Sequence, residues 1–374
     1  MQAQQLTEVE VLDAAIERLS RRLPSAWSVE KTSLGGDAEP RDLLLKGPQG
    51  GGQTIFVEVK NDVSPRDVQA LMGGPWKRWR KQMGNHPILF VAPYIGPRVR
   101  ELLKEEGVSF LDLTGNTFIS LDYPGIFIEA PGAQRDPTAT KPRRGLRGAK
   151  VGAVVRVLVD AAPPYTGSEI ARAANVNEGY ASRILETLNE EGLIERESFG
   201  PVTGVDWPAL LRRRAQALDL FRSPSAYRYL ARQGTRALVK EMAARQPVPQ
   251  ATITGSFAAA RLAPVAGPTL LVVYTMKPRD LAEDLSLLPT ETGTDTVLIR
   301  PDNEVVFARA TKAEGLRWAA PSQVAIDCLA GNGRMPAEGE ALIDWMREDE
   351  GRWRYQSIET LLEATRTPEG VSGG

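Results

Sequence analysis

The stretch 151–205 constrains this chain most, because three helix-length segments and two strand-length ones follow one another with almost no connecting sequence. Val154, Val155 and Leu158 form the apolar face of a helix over 151–160, and Ala161-Ala-Pro-Pro-Tyr165 ends it. Thr166 or Ser168 caps a short helix over 169–174. A tight turn through 175–177 follows, Asn177 caps a helix over 178–191, and Gly192 stops it. Ile170, Ala171, Val176, Ala181, Ile184, Leu185 and Leu188 recur where two crossed helices must touch. Short strands over 193–197 and 202–205 then flank a tip at Phe199-Gly-Pro.

The phrase Gly-Ser-Glu-Ile-Ala-Arg-Ala-Ala-Asn-Val-Asn-Glu-Gly-Tyr-Ala-Ser-Arg-Ile-Leu, ending at Leu185, resembles the winged helix-turn-helix regulators. That resemblance implies a recognition helix in the major groove of double-stranded DNA, with Asn177, Tyr180, Ser182 and Arg183 reaching bases or phosphates. Lys150 and Arg147 are the nearest expected phosphate contacts. A winged helix can instead serve protein contacts or a homodimer, and Glu178 beside the groove face favours that alternative. The net charge of −1 provides no global basic field, but the distribution is uneven. Arg135, Lys141, Arg143, Arg144, Arg147 and Lys150 face only Asp136 over 132–150, and over 207–245 nine basic residues face Asp219 and Glu241. Solvated helix faces account for such clusters equally well.

At 374 residues, two or three domains are expected. One cysteine, Cys328, excludes an internal disulfide framework and fits a reducing compartment. No apolar run is long enough to span a membrane. The first residues read as an amphipathic helix over 6–23, with Val9, Leu12, Ile16 and Leu19 at core spacing, and not as a signal peptide. A cytoplasmic protein without membrane partners is the expectation.

Up to about residue 130, strand and helix patterns alternate. Strands are expected at 27–31, 43–46, 54–60, 88–91, 108–113, 117–121 and 126–129, with helices from Ser64-Pro65 and over 97–106. This is an α/β domain with a mixed sheet. Within 54–60, Phe56, Glu58 and Lys60 share one face while Ile55, Val57 and Val59 share the other. The apolar set is the core side, so Glu58 and Lys60 project together near the start of the strand that Asp42 opens. Two converging carboxylates can hold Mg²⁺ or Mn²⁺, and an ammonium can orient or deprotonate an attacking water.

Helix, Asp42 strand, Glu58-Val-Lys60 and a helix bearing Gln69 resemble the PD-(D/E)XK nuclease superfamily over the first third of the chain. The resemblance implies a restriction-endonuclease-like fold and a metal site of Asp42 and Glu58. Lys60 and Gln69 would be catalytic, as would a carboxylate of the first helix, Glu10 or in its place Glu17. Arg41 separates Pro40 from Asp42, a departure from the family's motif. Trp76-Lys-Arg-Trp-Arg-Lys81 could grip phosphates or pack its two tryptophans against the domain. His86, the only histidine, excludes histidine-based triads, and Cys328 reads as a core residue.

After a Pro-, Gly- and Arg-rich linker and the winged helix, a basic helical stretch begins at Trp207. A strand over 251–254, a Gly255-Ser256 turn and a helix follow. This resembles the nucleotidyltransferase fold, in which Gly-Ser approaches a nucleotide phosphate at a helix N-terminus. The next strand, over 269–274, lacks the metal-binding aspartates, so the match is to the degenerate version found in AbiE-type antitoxins. Further strands are expected at 296–300 and 305–308, and helices at 321–329 and 338–347. The expected order is a nuclease-like domain (1–131), linker (132–148), winged helix-turn-helix (149–206), basic helix with a nucleotidyltransferase-like α/β domain (207–364) and a disordered tail (365–374). The function implied is a DNA endonuclease targeted by its winged helix. The alternative is a non-catalytic transcriptional regulator of the AbiE-antitoxin type.

Overall fold

Apolar alternation builds the first part of the chain. In the computed structural model, which describes residues 6–32, 42–61, 63–65, 67–68, 86–123, 125–134, 136–137, 146–197, 200–222, 225–245 and 251–366, the chain is α/β with two mixed sheets of seven strands each. It divides into two units, Met1–Arg143 with Glu190–Gly192, and Arg144–Asn189 with Leu193–Gly374. Among the described residues no helix is long and apolar enough to cross a membrane.

In the first unit α1 (Glu8–Arg22) starts at a reciprocal cap in which Thr7 and Glu10 satisfy each other's backbone N–H. The strands β1 (Ser28–Thr32), β2 (Asp42–Lys46), β3 (Gly52–Val59) and β4 (Ile88–Ala92) follow, then α2 (Pro97–Glu105). β5 (Ser109–Asp112), β6 (Thr117–Leu121) and β7 (Ile126–Ala130) complete the sheet, whose spatial order is the chain order. β3, β4 and β5 are parallel and all other neighbours antiparallel. Leu43, Leu45, Ile55 and Val57 pack with Val11, Leu12, Ala15 and Leu19 of α1 on one face. Ile88, Phe90, Val99 and Leu103 pack on the other, with Phe56 against them. The central strands β4 and β5 are buried throughout, whereas β1 and β7 at the sheet edges are largely exposed.

The second unit opens with α3 (Ala149–Asp160), α4 (Gly167–Ala173) and α5 (Glu178–Glu190), then the antiparallel ribbon β8 (Ile194–Arg196) and β9 (Val202–Val205). Tyr165 bridges Val202, adding one residue of pairing to the ribbon. α6 (Trp207–Ala215), β10 (Ala226–Leu230), α7 (Thr235–Ala244), β11 (Ala251–Thr254), α8 (Gly255–Leu262) and β12 (Leu271–Thr275) follow. Next come α9 (Pro278–Asp284), β13 (Leu288–Pro289), β14 (Thr296–Ile299), β15 (Thr311–Ala313) and β16 (Leu316–Trp318). Three helices end it: α10 (Pro321–Leu329), α11 (Met335–Glu348) and α12 (Ile358–Arg366). The second sheet runs β13-β10-β14-β12-β11-β16-β15, far from chain order. One apolar core includes Leu158, Leu185, Leu210, Ile253 and Val324, so packing is continuous across the boundary expected at 206/207.

The strand expected at 305–308 is instead a single 3-10 turn, Glu304–Phe307. Asn303 caps it through Val305 N at 2.9 Å, and the carbonyls of Val305 and Ala308 accept from the Arg156 guanidinium. A buried arginine supplies the donors that a neighbouring strand would have given.

Candidate functional site

Leu43 pairs with Ile55 across β2 and β3, so one step further Asp42 lies across from Phe56, on the face that also bears Glu58 and Lys60. The Asp42 carboxylate is 6% exposed and accepts from Val57 N at 3.4 Å. Lys60 Nζ pairs with Glu58 Oε1 at 3.0 Å, with the two side chains 41% and 23% exposed. The register therefore puts the three residues on one face of adjacent strands. The hydrogen bond to Glu58, and then its charge, push the Lys60 ammonium above its ordinary range, with burial opposing and Glu8 and Asp67 adding to the rise. A lysine so held stays protonated. It can orient water or neutralise phosphate charge, but it is a poor base.

Glu10 is directed elsewhere. Its carboxylate accepts from Thr7 N at 2.8 Å and Thr7 Oγ1 at 2.9 Å, and those bonds hold it below the usual carboxylate range. The α1 acid whose charge reaches Lys60 is Glu8, the first residue of the helix. The capping pattern Thr-x-x-Glu was legible in the sequence and would have reserved Glu10 for the cap. Glu17 pairs with Arg21 along the helix. Gln69, Arg41 and the 76–81 segment lie outside the described residues. Among the described residues no three His, Cys, Asp or Glu side chains gather as a metal cluster. Two hard carboxylates still fit Mg²⁺, which keeps several waters and is held by one or two protein oxygens plus substrate phosphates.

In the second unit, Asn177 caps α5 by accepting from Tyr180 N at 2.7 Å. Tyr180 is half-buried, and two cations lie over its ring, Lys150 Nζ at 5.9 Å and the Arg183 guanidinium at 6.0 Å from the ring centre. Arg183 is exposed and donates to Gly179 O, and Ser182 is half-buried one residue before it. Arg147, also exposed, is tied through Nε to Ala217 O at 2.9 Å. Lys150, Tyr180 and Arg183 thus form one basic-aromatic cluster at the start of α5, with Asn177 beside it and the acid Glu178 exposed on the same turn. Two residues of the Arg212-Arg-Arg214 run are engaged within the fold. Arg212 grips Glu340 with bonds of 2.5–3.1 Å, and Arg214 is buried against the carbonyls of Leu146 and Gly148.

The Gly255-Ser256 turn is closed. Gly255 has φ +64°, and a side chain there would meet Met335 Cε at 3.1 Å. The Ser256 hydroxyl donates to the buried Glu338 carboxylate at 2.5 Å, so a protein anion already faces the start of α8. Nearby, Asp327 accepts from Thr254 Oγ1 (2.6 Å), Tyr274 OH (2.9 Å) and Gln323 Nε2 (2.9 Å), and burial pushes its carboxyl up to about 6. Burial also pushes Asp160 up, but Arg156 and Arg309 outweigh it and hold that carboxyl below its usual range. Cys328 is fully buried, and burial pushes its thiol up, which suits a core residue. His86 Nδ1 lies 3.2 Å from Thr54 O, a structural contact.

No known protein family, curated protein or solved structure shows significant similarity to the chain.

Proposed function

We propose that this chain is a DNA-binding protein whose first unit has a restriction-endonuclease-like fold and cleaves phosphodiester bonds with Mg²⁺ or Mn²⁺. The observation that carries the reading is the placement of Asp42, Glu58 and Lys60 on one face of adjacent strands. The element order of α1, three antiparallel strands and a parallel fourth agrees with it. Asp42 and Glu58 would hold the ion. A divalent ion so held polarises the scissile phosphate and lowers the pKa of a bound water. Lys60, kept protonated by Glu58, orients that water and offsets charge on the phosphate.

The second unit supplies the docking element. Helices α3, α4 and α5 with the β8–β9 ribbon have the order of a winged helix-turn-helix, and the Lys150–Tyr180–Arg183 cluster suits phosphate contact beside a groove. The test is cleavage of supercoiled and linear duplex DNA with Mg²⁺ or Mn²⁺ by the native chain, Asp42→Asn and Lys60→Ala. Cutting by the native chain alone supports the proposal; binding by all three without cutting rejects it.

A second reading rests on the Gly255-Ser256 turn, which Glu338 closes against phosphate. A nucleotidyltransferase-like domain closed in this way suits a non-catalytic regulator of the AbiE-antitoxin type. That regulator would bind one operator with strong salt dependence, as a homodimer on a palindromic site.

A further inference from the structure

A cavity of about 370 Å³ in the second unit combines arginines with aromatic side chains. It lies between the C-terminal end of α3, the β16–α10 connection, and the turn between α11 and α12. Four arginines line it and one acid, Asp160. That acid is already neutralised by Arg156 and Arg309, both nearly buried with it. Four aromatic residues, Trp318, Trp345, Trp353 and Tyr355, line it beside small and aliphatic ones. The indole N–H groups of Trp318 and Trp353 donate to Ala313 O and Met346 O, so these rings are fixed by the fold. Arg261 lies 4.5 Å over the Trp318 ring and meets Glu314 only at 3.5 Å, while Arg352 pairs through Nε with Asp349 at 3.2 Å and Arg354 with Glu350 at 2.6 Å.

Fixed aromatic planes beside several guanidiniums match a ligand with a planar ring at one end and a multiply charged oxyanion at the other. Arginine recognises phosphate by paired N–H donors and stacks on planar groups, so it serves both ends. The volume falls within the range of small-molecule sites, on the order of 300–1,000 Å³. We propose that this cavity binds a mononucleotide, its base against the tryptophans and its phosphate on Arg261 and Arg352. The cavity lining includes none of Asp42, Glu58, Lys60, Gly255 and Ser256, and the inference does not depend on DNA binding or cleavage. Its floor belongs to the fold of α3, since Tyr355 N donates to Asp160 O at 2.8 Å and Ala162 N to Tyr355 O at 2.7 Å.

The experiment is calorimetric titration of the full chain with AMP, GMP, adenosine and inorganic phosphate. AMP or GMP is expected to bind at least about tenfold more tightly than either adenosine or phosphate alone. Arg261→Ala and Arg352→Ala, both partly exposed side chains, should each weaken the mononucleotide about tenfold or more with an unchanged melting temperature. Arg347→Ala, outside the cavity, should leave the affinity as it is. No binding of either mononucleotide at about 1 mM overturns the proposal. Phosphate binding as tightly as AMP also overturns it, reducing the cavity to an anion patch. An affinity untouched by both arginine variants places the ligand elsewhere and rejects this site.

Discussion

The two units treat their charged groups in opposite ways. On the β2–β3 face of the first, Glu58 and Lys60 are partly exposed and bonded to each other at a strand end. In the second, Arg156, Asp160, Asp327 and Glu338 are nearly inaccessible, and each is engaged by several neighbours. Charges taken from water and fully partnered hold elements together, whereas charges left at a rim remain available to an ion or substrate. Among the described residues of the first unit, Asp42 and Asp112 depart from this, both being buried. Asp112 is fully buried and accepts from Ile95 N, Thr114 and Asn116, closing the loop after β5 as a structural network.

Arg156→Met is the strongest way to break this contrast. It takes the Arg156 donor from Ala308 O and Gln323 Oε1, leaves Val305 O only its bond from Ala308 N, and removes one of the two cations on Asp160. A loss of about 3–5 kcal/mol is expected in urea denaturation. A loss below about 1 kcal/mol would show that the buried network is dispensable.

Asp327→Asn gives a pH-dependent version. The folded carboxyl keeps its proton up to about 6, against 3.8 for an ordinary aspartate. Protonation therefore favours the folded state. The contribution is complete below pH about 4 and lost as pH rises through about 6, a swing of roughly 3 kcal/mol. Asparagine cannot titrate, so native stability should fall relative to the variant between those pH values. Parallel denaturation curves at both ends of the window would contradict the assignment.

Ser256→Ala is a smaller perturbation. Glu338 loses the Ser256 hydroxyl but keeps Arg334 at 3.1 Å. About 1–2 kcal/mol should be lost in thermal melts. If the turn instead gained affinity for inorganic phosphate without losing stability, Glu338 would be a removable plug and not a structural partner.

Much of the first unit was legible because its sheet follows chain order, so each strand's neighbour is the next apolar run. The Asp42, Glu58 and Lys60 face followed from alternation alone. The Glu10 assignment misread a helix cap as a rim acid. The second sheet interleaves strands from distant parts of the sequence, and short pieces such as β13, β15 and β16 have no periodicity to detect. Arg156 reads as a surface residue of an amphipathic helix. Only the long-range partners Val305, Ala308 and Gln323, about 150–170 residues away, bury it.

The least costly substitutions sharpen the comparison most. Glu58→Gln and Lys60→Met break a partly exposed pair whose net contribution to stability is about 0–1 kcal/mol. Each should melt within about 0.5 kcal/mol of the native chain and yet abolish the metal-dependent DNA cleavage proposed for the first unit. The pH profile distinguishes how Lys60 acts. Glu58 holds its ammonium above the ordinary lysine range, so a positioning role predicts no rise in rate from Lys60 deprotonation between pH about 7 and 9. A rate that climbs through that window in the native chain and is flat in Lys60→Arg would make Lys60 the base. Loss of several kcal/mol from either variant would place the pair with the buried networks of the second unit, and the contrast between the two units would not hold.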